Sequence, residues 1–318
     1  MIKNKLRIVF MGTPDFAVAT LKKLIEEKYN VVGVITAPNR KAGRGQKISQ
    51  SAVKKFTEAN HLKILQPTNL KSEAFISELK ELKANLQIVV AFRMLPKVIW
   101  AMPEFGTFNL HASLLPNYRG AAPIHWAIIN GEKETGATTF FIDEKIDTGA
   151  IILSRKINIE DDETVGKLHD KLKDMGSDLV IETVQLIEKR GVKTEIQPKS
   201  ENLKTAYKLN RDNCKIDWQL PVTDIYNKIR GLNPYPTAWC HLDNNSEDIS
   251  PVKIYDVTME TLDHEYEYGK VIDDNSNIKI AVDGGFIIVE TMQLPGKRKM
   301  SVKDLKNGFQ FDEASMMR

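Results

Sequence analysis

Between residues 6 and 91 short apolar runs alternate with stretches of helical spacing, and few folds accommodate that alternation. Leu6–Phe10 reads as a strand, Met11–Asp15 as a turn with Pro14 suited to a first helical position, and Phe16–Glu27 as a helix. The pattern returns as strand Val31–Ile35, helix Ser51–Ala59, short strand Ile64–Gln66, helix Ser72–Leu82 and strand Leu86–Ala91. Strands joined through helices pair in parallel, so this segment predicts an α/β, doubly wound, mostly parallel sheet of Rossmann type. Strands Thr107–His111, Thr138–Ile142 and Ile151–Ile157 extend it, with helices at Pro123–Asn130 and Val165–Lys189.

The texture then changes. Gly191–Lys208 is polar and aperiodic, which predicts a first domain over 1–190, a linker over 191–207 and a second domain over 208–318. In the second domain one helix, Val222–Leu232, precedes the short runs Trp239–Leu242, Val252–Thr258, Gly269–Asp273, Ile278–Val282 and Phe286–Met292. Short strands with a single helix suit a small OB-like β-barrel.

Composition removes several function classes. No run of about 18 uncharged apolar residues is present, and the first residues meet Gly12, Pro14 and Asp15 before a signal-type segment forms, so no membrane contact and a cytoplasmic location are expected. Cys214 and Cys240 show no paired spacing and the six histidines are scattered, so neither a disulfide framework nor a metal site is expected. The net charge of +3 divides unevenly, with 31 Lys+Arg against 24 Asp+Glu up to residue 206 and 14 against 18 from residue 207 on. A nucleic-acid contact by the second domain therefore needs a local patch, and Lys297-Arg298-Lys299 is the dense one there; a solvated turn after Pro295-Gly296 explains it equally well.

The chemistry concentrates in Phe108–Ile124. Residues two apart on a strand share a face, so Asn109 and His111 are presented together, and the Ser113-Leu114-Leu115-Pro116 turn ends the strand there. Ligands of parallel α/β sheets gather at the carboxyl ends of strands. An imidazole exchanges protons near neutral pH and an asparagine amide can hydrogen-bond an oxygen that gains charge, which together suit acyl transfer. Asp147, in the turn after Thr138–Ile142, is the carboxylate placed to hold the His111 tautomer. Each residue also has a duller reading: Asn109 as a strand-end cap, His111 as a satisfied core histidine, Asp147 as an Asx-turn residue before Gly149. Taken residue by residue, the duller readings are favoured; the joint placement of the three at adjacent strand ends brings the catalytic reading level with them.

The run N-L-H-A-S-L-L-P-N-Y-R-G-A-A-P-I from Asn109, with D-T-G from Asp147, resembles the formyltransferases that use 10-formyltetrahydrofolate. The likeness continues in M-G-T-P-D-F (Met11–Phe16), A-G-R-G-Q-K (Ala42–Lys47), L-P-K (Leu95–Lys97), N-P-Y-P-T-A-W (Asn233–Trp239) and P-G-K-R-K-M-S (Pro295–Ser301), and is strongest to the branch acting on methionyl-tRNA. The resemblance implies a catalytic trio of Asn109, His111 and Asp147, a folate site lined by Ser113, Leu114, Leu115 and Pro116, and an OB-like domain that helps to hold tRNA. It also implies that the loop carrying Arg40, Lys41, Arg44 and Lys47 reaches the tRNA acceptor end. Formyl transfer from 10-formyltetrahydrofolate to the α-amino group of methionyl initiator tRNA is then the expected activity of a monomer. A formyltransferase acting on an amino sugar nucleotide and a non-catalytic RNA-binding protein are the alternatives. One departure from the family pattern stands at Ala91-Phe92-Arg93-Met94-Leu95-Pro96, a residue short and carrying a bulky cation, which predicts an altered wall for the folate pocket.

Overall fold

A computed structural model describes residues 6–42, 47–198, 201–245, 249–274 and 277–318. The chain forms two compact units, one from Met1–Gly120, Thr135–Ile157 and His169–Thr205, the other from Ala121–Glu134, Asn158–Leu168 and Ala206–Arg318.

The elements in chain order begin with β1 (Arg7–Gly12), α1 (Asp15–Glu26), β2 (Asn30–Ile35), β3 (Arg40–Ala42), β4 (Lys47–Ser49) and α2 (Ala52–Ala59). They continue with β5 (Ile64–Leu65), α3 (Glu73–Glu81), β6 (Leu86–Val90), α4 (Lys97–Trp100), β7 (Thr107–His111) and β8 (Arg119–Gly120). Then follow α5 (Pro123–Ile129), β9 (Glu134–Phe141), β10 (Ile151–Asn158) and α6 (Val165–Glu188).

In the first unit a seven-stranded sheet runs β10-β9-β7-β6-β1-β2-β5. The pairs β1–β2, β1–β6, β2–β5 and β6–β7 are parallel, as the alternating pattern predicts. Every residue of β6 is buried, because helices cover both faces of a parallel sheet and leave no solvent side. Local chemistry sets the helix starts: Ser51 caps α2 by accepting a hydrogen bond from the Lys54 N–H (3.0 Å), and Pro14 occupies the cap of α1, one position before the expected one. Gly12 lets the β1–α1 turn close, since a Cβ there would lie 2.5 Å from that of Ala17. Two features differ from the sequence reading. In the basic segment β3 and β4 pair antiparallel, Arg40 opposite Ser49 and Ala42 opposite Lys47, and β9 pairs antiparallel to β7, bringing Thr138 opposite His111 and Phe141 opposite Phe108.

The later elements are β11 (Thr205–Ala206), α7 (Val222–Leu232), β12 (Ala238–Asp243), β13 (Ser250–Thr261), β14 (Val271–Asp273), β15 (Ile278–Val282), β16 (Gly285–Gln293), β17 (Met300–Ser301), α8 (Val302–Leu305) and β18 (Met316–Met317). In the second unit the strands follow the order β14-β15-β16-β13-β12-β18. An antiparallel bridge between Lys270 and Met316, with Met317 N–H donating to the Gly269 carbonyl at 2.7 Å, joins the two ends into a nearly closed barrel. Alternation fills it: Ala238, Cys240 and Leu242 point inward from β12 while Trp239 and His241 face out. Helix α7 turns Val222, Ile225, Ile229 and Leu232 toward the same core, each such aliphatic side chain contributing about 1.5–3 kcal/mol by leaving water. Both cysteines are buried free thiols.

Candidate active site

Strand β7 is held between β6 and β9, so its last residues stand at the carboxyl end of the parallel part of the sheet. His111 closes the strand and is buried; Asn109, two residues earlier, shares its face. Asn109 is half-buried, and its Oδ1 is buried without a hydrogen-bond partner. An orphaned acceptor of that kind costs about 1–3 kcal/mol, which distinguishes it from the strand-end cap of the duller reading.

The His111 ring is fixed from one side. Its Nε2 lies 2.8 Å from the Tyr118 carbonyl oxygen, which can only accept, so Nε2 carries the proton and Nδ1 is the free nitrogen of the neutral ring. Asp147 Oδ2 stands 3.8 Å from that Nδ1, with the two side chains 7% and 15% exposed. The structure thus brings His111 and Asp147 together but corrects one expectation: the Tyr118 carbonyl, not Asp147, selects the tautomer. The path to Asp147 also differs. Because β9 runs antiparallel to β7, its end at Phe141 lies beside Phe108, and the 142–149 loop carries Asp147 back toward His111. The Asx-turn residue of that loop is Asp143, whose Oδ1 accepts from the Lys145 N–H (3.0 Å) and the Thr148 hydroxyl (2.7 Å). Asp147 is free of that duty, and its Oδ2 takes the Gly120 N–H at 2.9 Å.

The Ser113–Pro116 turn is shaped by Thr138. The Thr138 hydroxyl donates to the Ser113 carbonyl (2.7 Å) and accepts the Leu115 N–H (3.2 Å), so the Ser154 hydroxyl, 3.2 Å away, must be a donor to it. Ser113 is fully buried and its hydroxyl donates to the Asn117 carbonyl at 2.8 Å, which leaves it no proton for a ligand. Leu114 and Pro116 are partly exposed and Leu115 is buried.

Arg93, the cation in the short 91–96 segment, folds back on the chain. It donates to the carbonyls of Thr68 (3.1 Å) and Pro67 and borders a cleft of about 390 Å³ with Asn69, Lys71 and Met94. Burial, and then the nearby Arg40, hold its guanidinium below the usual arginine range. Arg40 itself is exposed at the start of β3; the side chains of Lys41 and Lys47, and Arg44 as a whole, lie outside the described residues. In the 295–299 turn Lys297 and Arg298 are exposed, while Lys299 pairs with Asp256 at 2.8 Å and sits 4.5 Å over the Tyr255 ring.

Four contributors escaped the sequence reading. Tyr118 and Gly120 act through backbone atoms, which carry no side-chain signature, and Thr138 is paired to the site by the antiparallel β9. The fourth, Gln197, lies in the polar stretch read as a linker; it is 6% exposed, accepts from Arg119 and donates to the carbonyls of Asp147 and Gly149. No group of three or more metal-binding side chains occurs among the described residues.

A protein-family model described as formyl transferase matches residues 6–184, and a second, the formyl transferase C-terminal domain, matches residues 208–310. The chain belongs to the formyl transferase family. Curated relatives of this formyltransferase include the methionyl-tRNA formyltransferase of Flavobacterium johnsoniae, 60% identical with 98% of this chain and 99% of that protein covered. The methionyl-tRNA formyltransferase of Bacteroides fragilis is 50% identical, covering 100% and 99%. Among solved structures the sugar 3N-formyl transferase WlaRD, crystallised with dTDP and 5-N-formyl-THF, superposes with a TM-score of 0.64 at 23% identity over 92% of this chain and 99% of that one. HypX from Aquifex aeolicus in complex with tetrahydrofolic acid gives 0.65 at 16% identity, covering 95% and 47%. At those identities the likeness concerns the fold of the formyltransferase.

Proposed function

We propose that this enzyme moves the formyl group of 10-formyltetrahydrofolate to the α-amino group of methionine on initiator tRNA, in the cytoplasm and in support of translation initiation. The observation that carries the acceptor is the 60% identity along the whole chain to a methionyl-tRNA formyltransferase, against 23% to a sugar formyltransferase of the same fold.

Half-buried Asn109, whose Nδ2–H2 can donate to a carbonyl oxygen, stands on the same strand face as a His111 ring held from one side, an arrangement that suits a carbonyl-bearing ligand. Bound there, 10-formyltetrahydrofolate supplies a one-carbon acyl group open to attack by an amine. The Asn109 Nδ2–H donates to the oxygen that gains negative charge, and the positive charge of His111, once Nδ1 is protonated, favours that oxygen further. His111 works through Nδ1, since Nε2–H is committed to Tyr118, and Asp147 balances the positive charge of the protonated ring and takes part in removing the amine proton. The Ser113, Leu114, Leu115 and Pro116 turn forms the wall of the folate site, with Ser113 shaping the turn and offering no hydroxyl proton.

Arg40, Lys41, Arg44 and Lys47 meet the tRNA acceptor end; Arg44→Ala then raises KM for tRNA and lowers the salt dependence of binding by about one unit of slope. The deciding experiment supplies 10-formyltetrahydrofolate with either methionyl initiator tRNA or an amino sugar nucleotide. Formylation of the tRNA and not the sugar is expected; the reverse result overturns the reading.

A further inference from the structure

Gln197 occupies a stretch with no periodic signal, yet it is fixed by its neighbours. The Glu195 N–H and carbonyl pair with Ile151 at 2.9 and 2.8 Å, so the segment is laid along the start of β10. A glutamine amide offers two acceptor lone pairs and two donor hydrogens. All are used here: Oε1 accepts from Arg119 Nε (3.1 Å) and Nη2 (2.6 Å), and Nε2 donates to the carbonyls of Asp147 (3.1 Å) and Gly149 (2.8 Å).

The two halves of that amide grip the two sides of one contact. Asp147 has φ of +54°, a left-handed conformation that Asp tolerates better than most side chains but that still costs energy, so the turn gains from anchors outside it. Its carboxylate is oriented by the Gly120 N–H, and Gly120 directly follows Arg119. One end of Gln197 therefore anchors the Asp147 backbone, while the other anchors the strand residue next to the amide that orients the Asp147 side chain. Only a group that accepts and donates satisfies both. A carboxylate at 197 keeps Arg119 but faces two carbonyl oxygens without a proton to give.

We infer that Gln197 is a positioning residue that sets the approach of Asp147 to His111, acting through the Asp147–Gly149 backbone and Arg119 and touching no reactant itself. The inference rests on the catalytic reading of His111 and Asp147.

The test uses the full-length enzyme as wild type, Gln197→Glu and Gln197→Met, with His111→Ala and Asp147→Asn as references. Folding is followed by calorimetry, His111 by the NMR signals of its ring nitrogens, and formyl transfer by kcat and KM across pH. For folded Gln197→Glu the expected result is a kcat lower by about 10–100-fold, KM for both substrates unchanged within about twofold, a displaced pH profile of kcat, and altered His111 ring signals. Gln197→Met, which can neither donate nor accept, is expected to do the same and takes over if the Glu variant does not fold. The inference is overturned if either variant keeps the wild-type pH profile and ring signals, or loses activity only in proportion to its unfolded fraction, while the reference variants are inactive. If Asp147→Asn retains full turnover, the catalytic reading itself fails; unchanged His111 ring signals in the Gln197 variants then overturn the positioning role on their own.

Discussion

Asp147 Oδ2 lies 3.8 Å from His111 Nδ1 and at the same time accepts the Gly120 N–H at 2.9 Å. The carboxylate is thereby oriented by the backbone and offered to the one imidazole nitrogen that Tyr118 leaves free. Asp147→Asn keeps the shape and removes the charge, so kcat is expected to fall by about 10²–10⁴-fold at neutral pH with little change in melting temperature. Single-turnover formyl transfer with the folded variant measures this, and full activity would exclude a role for the charge.

Asn109 has a buried Oδ1 without a hydrogen-bond partner, and its Nδ2–H2 is the donor offered to a ligand. Replacing Asn109 by Ala removes one donor to the developing oxyanion, expected to raise the barrier by about 2.7–4 kcal/mol and lower kcat about 10²–10³-fold. Stability should rise or stay level, because the change deletes a buried polar atom that has nothing to bond. Urea denaturation and steady-state kinetics on the same preparation check both signs.

The loop that returns Asp147 depends on Gly149. A Cβ there would lie 1.6 Å from the Phe141 carbonyl oxygen and 2.8 Å from its carbon, both backbone atoms that cannot swing aside. Gly149→Ala is expected to cost on the order of 3–5 kcal/mol. Gly308, where an added Cβ would meet nothing within 4 Å and φ is not positive, is the control, and Gly308→Ala should be neutral or stabilise by about 0.4–1 kcal/mol. Equilibrium unfolding of the pair distinguishes a steric cause from a general intolerance of alanine.

Burial pushes the Cys240 thiol from its ordinary value of 9.0 up to about 12, since a thiolate in the barrel core would be stripped of water. The folded chain holds this proton more tightly than the unfolded one. The contribution to stability is therefore fully present below about pH 9 and is lost as pH rises toward 12. Wild type should lose stability more steeply than Cys240→Ala over that interval in urea melts. Iodoacetamide at pH 8 should leave Cys240 unmodified in the native enzyme and alkylate it after unfolding; native alkylation would contradict the burial.

The parallel half of the first unit was legible because each strand–helix repeat writes its own period: Leu86–Val90 is apolar nearly throughout and buried throughout, and Ser51 marks the start of α2. The barrel was legible in the alternation of β12 and the spacing of α7. The direction of β9 was not, because an alternating run reads the same in either sense and only its partner decides. The pairing of β3 with β4 was also hidden, since the two strands have three residues each and no alternating apolar pattern to announce them.

By itself the sequence determined the chemical inventory and its first placement: an amide and an imidazole two apart on a strand share a face by the geometry of the extended chain, whatever else the protein does. Only the tertiary structure decided which imidazole nitrogen is free, how Asp147 reaches it, and that Gln197 holds the turn. Those depend on the Tyr118 carbonyl, the Gly120 amide and a residue 50 positions beyond Asp147. Backbone groups are the same at every position and long-range contacts leave no local period, so folding alone brings them to the site.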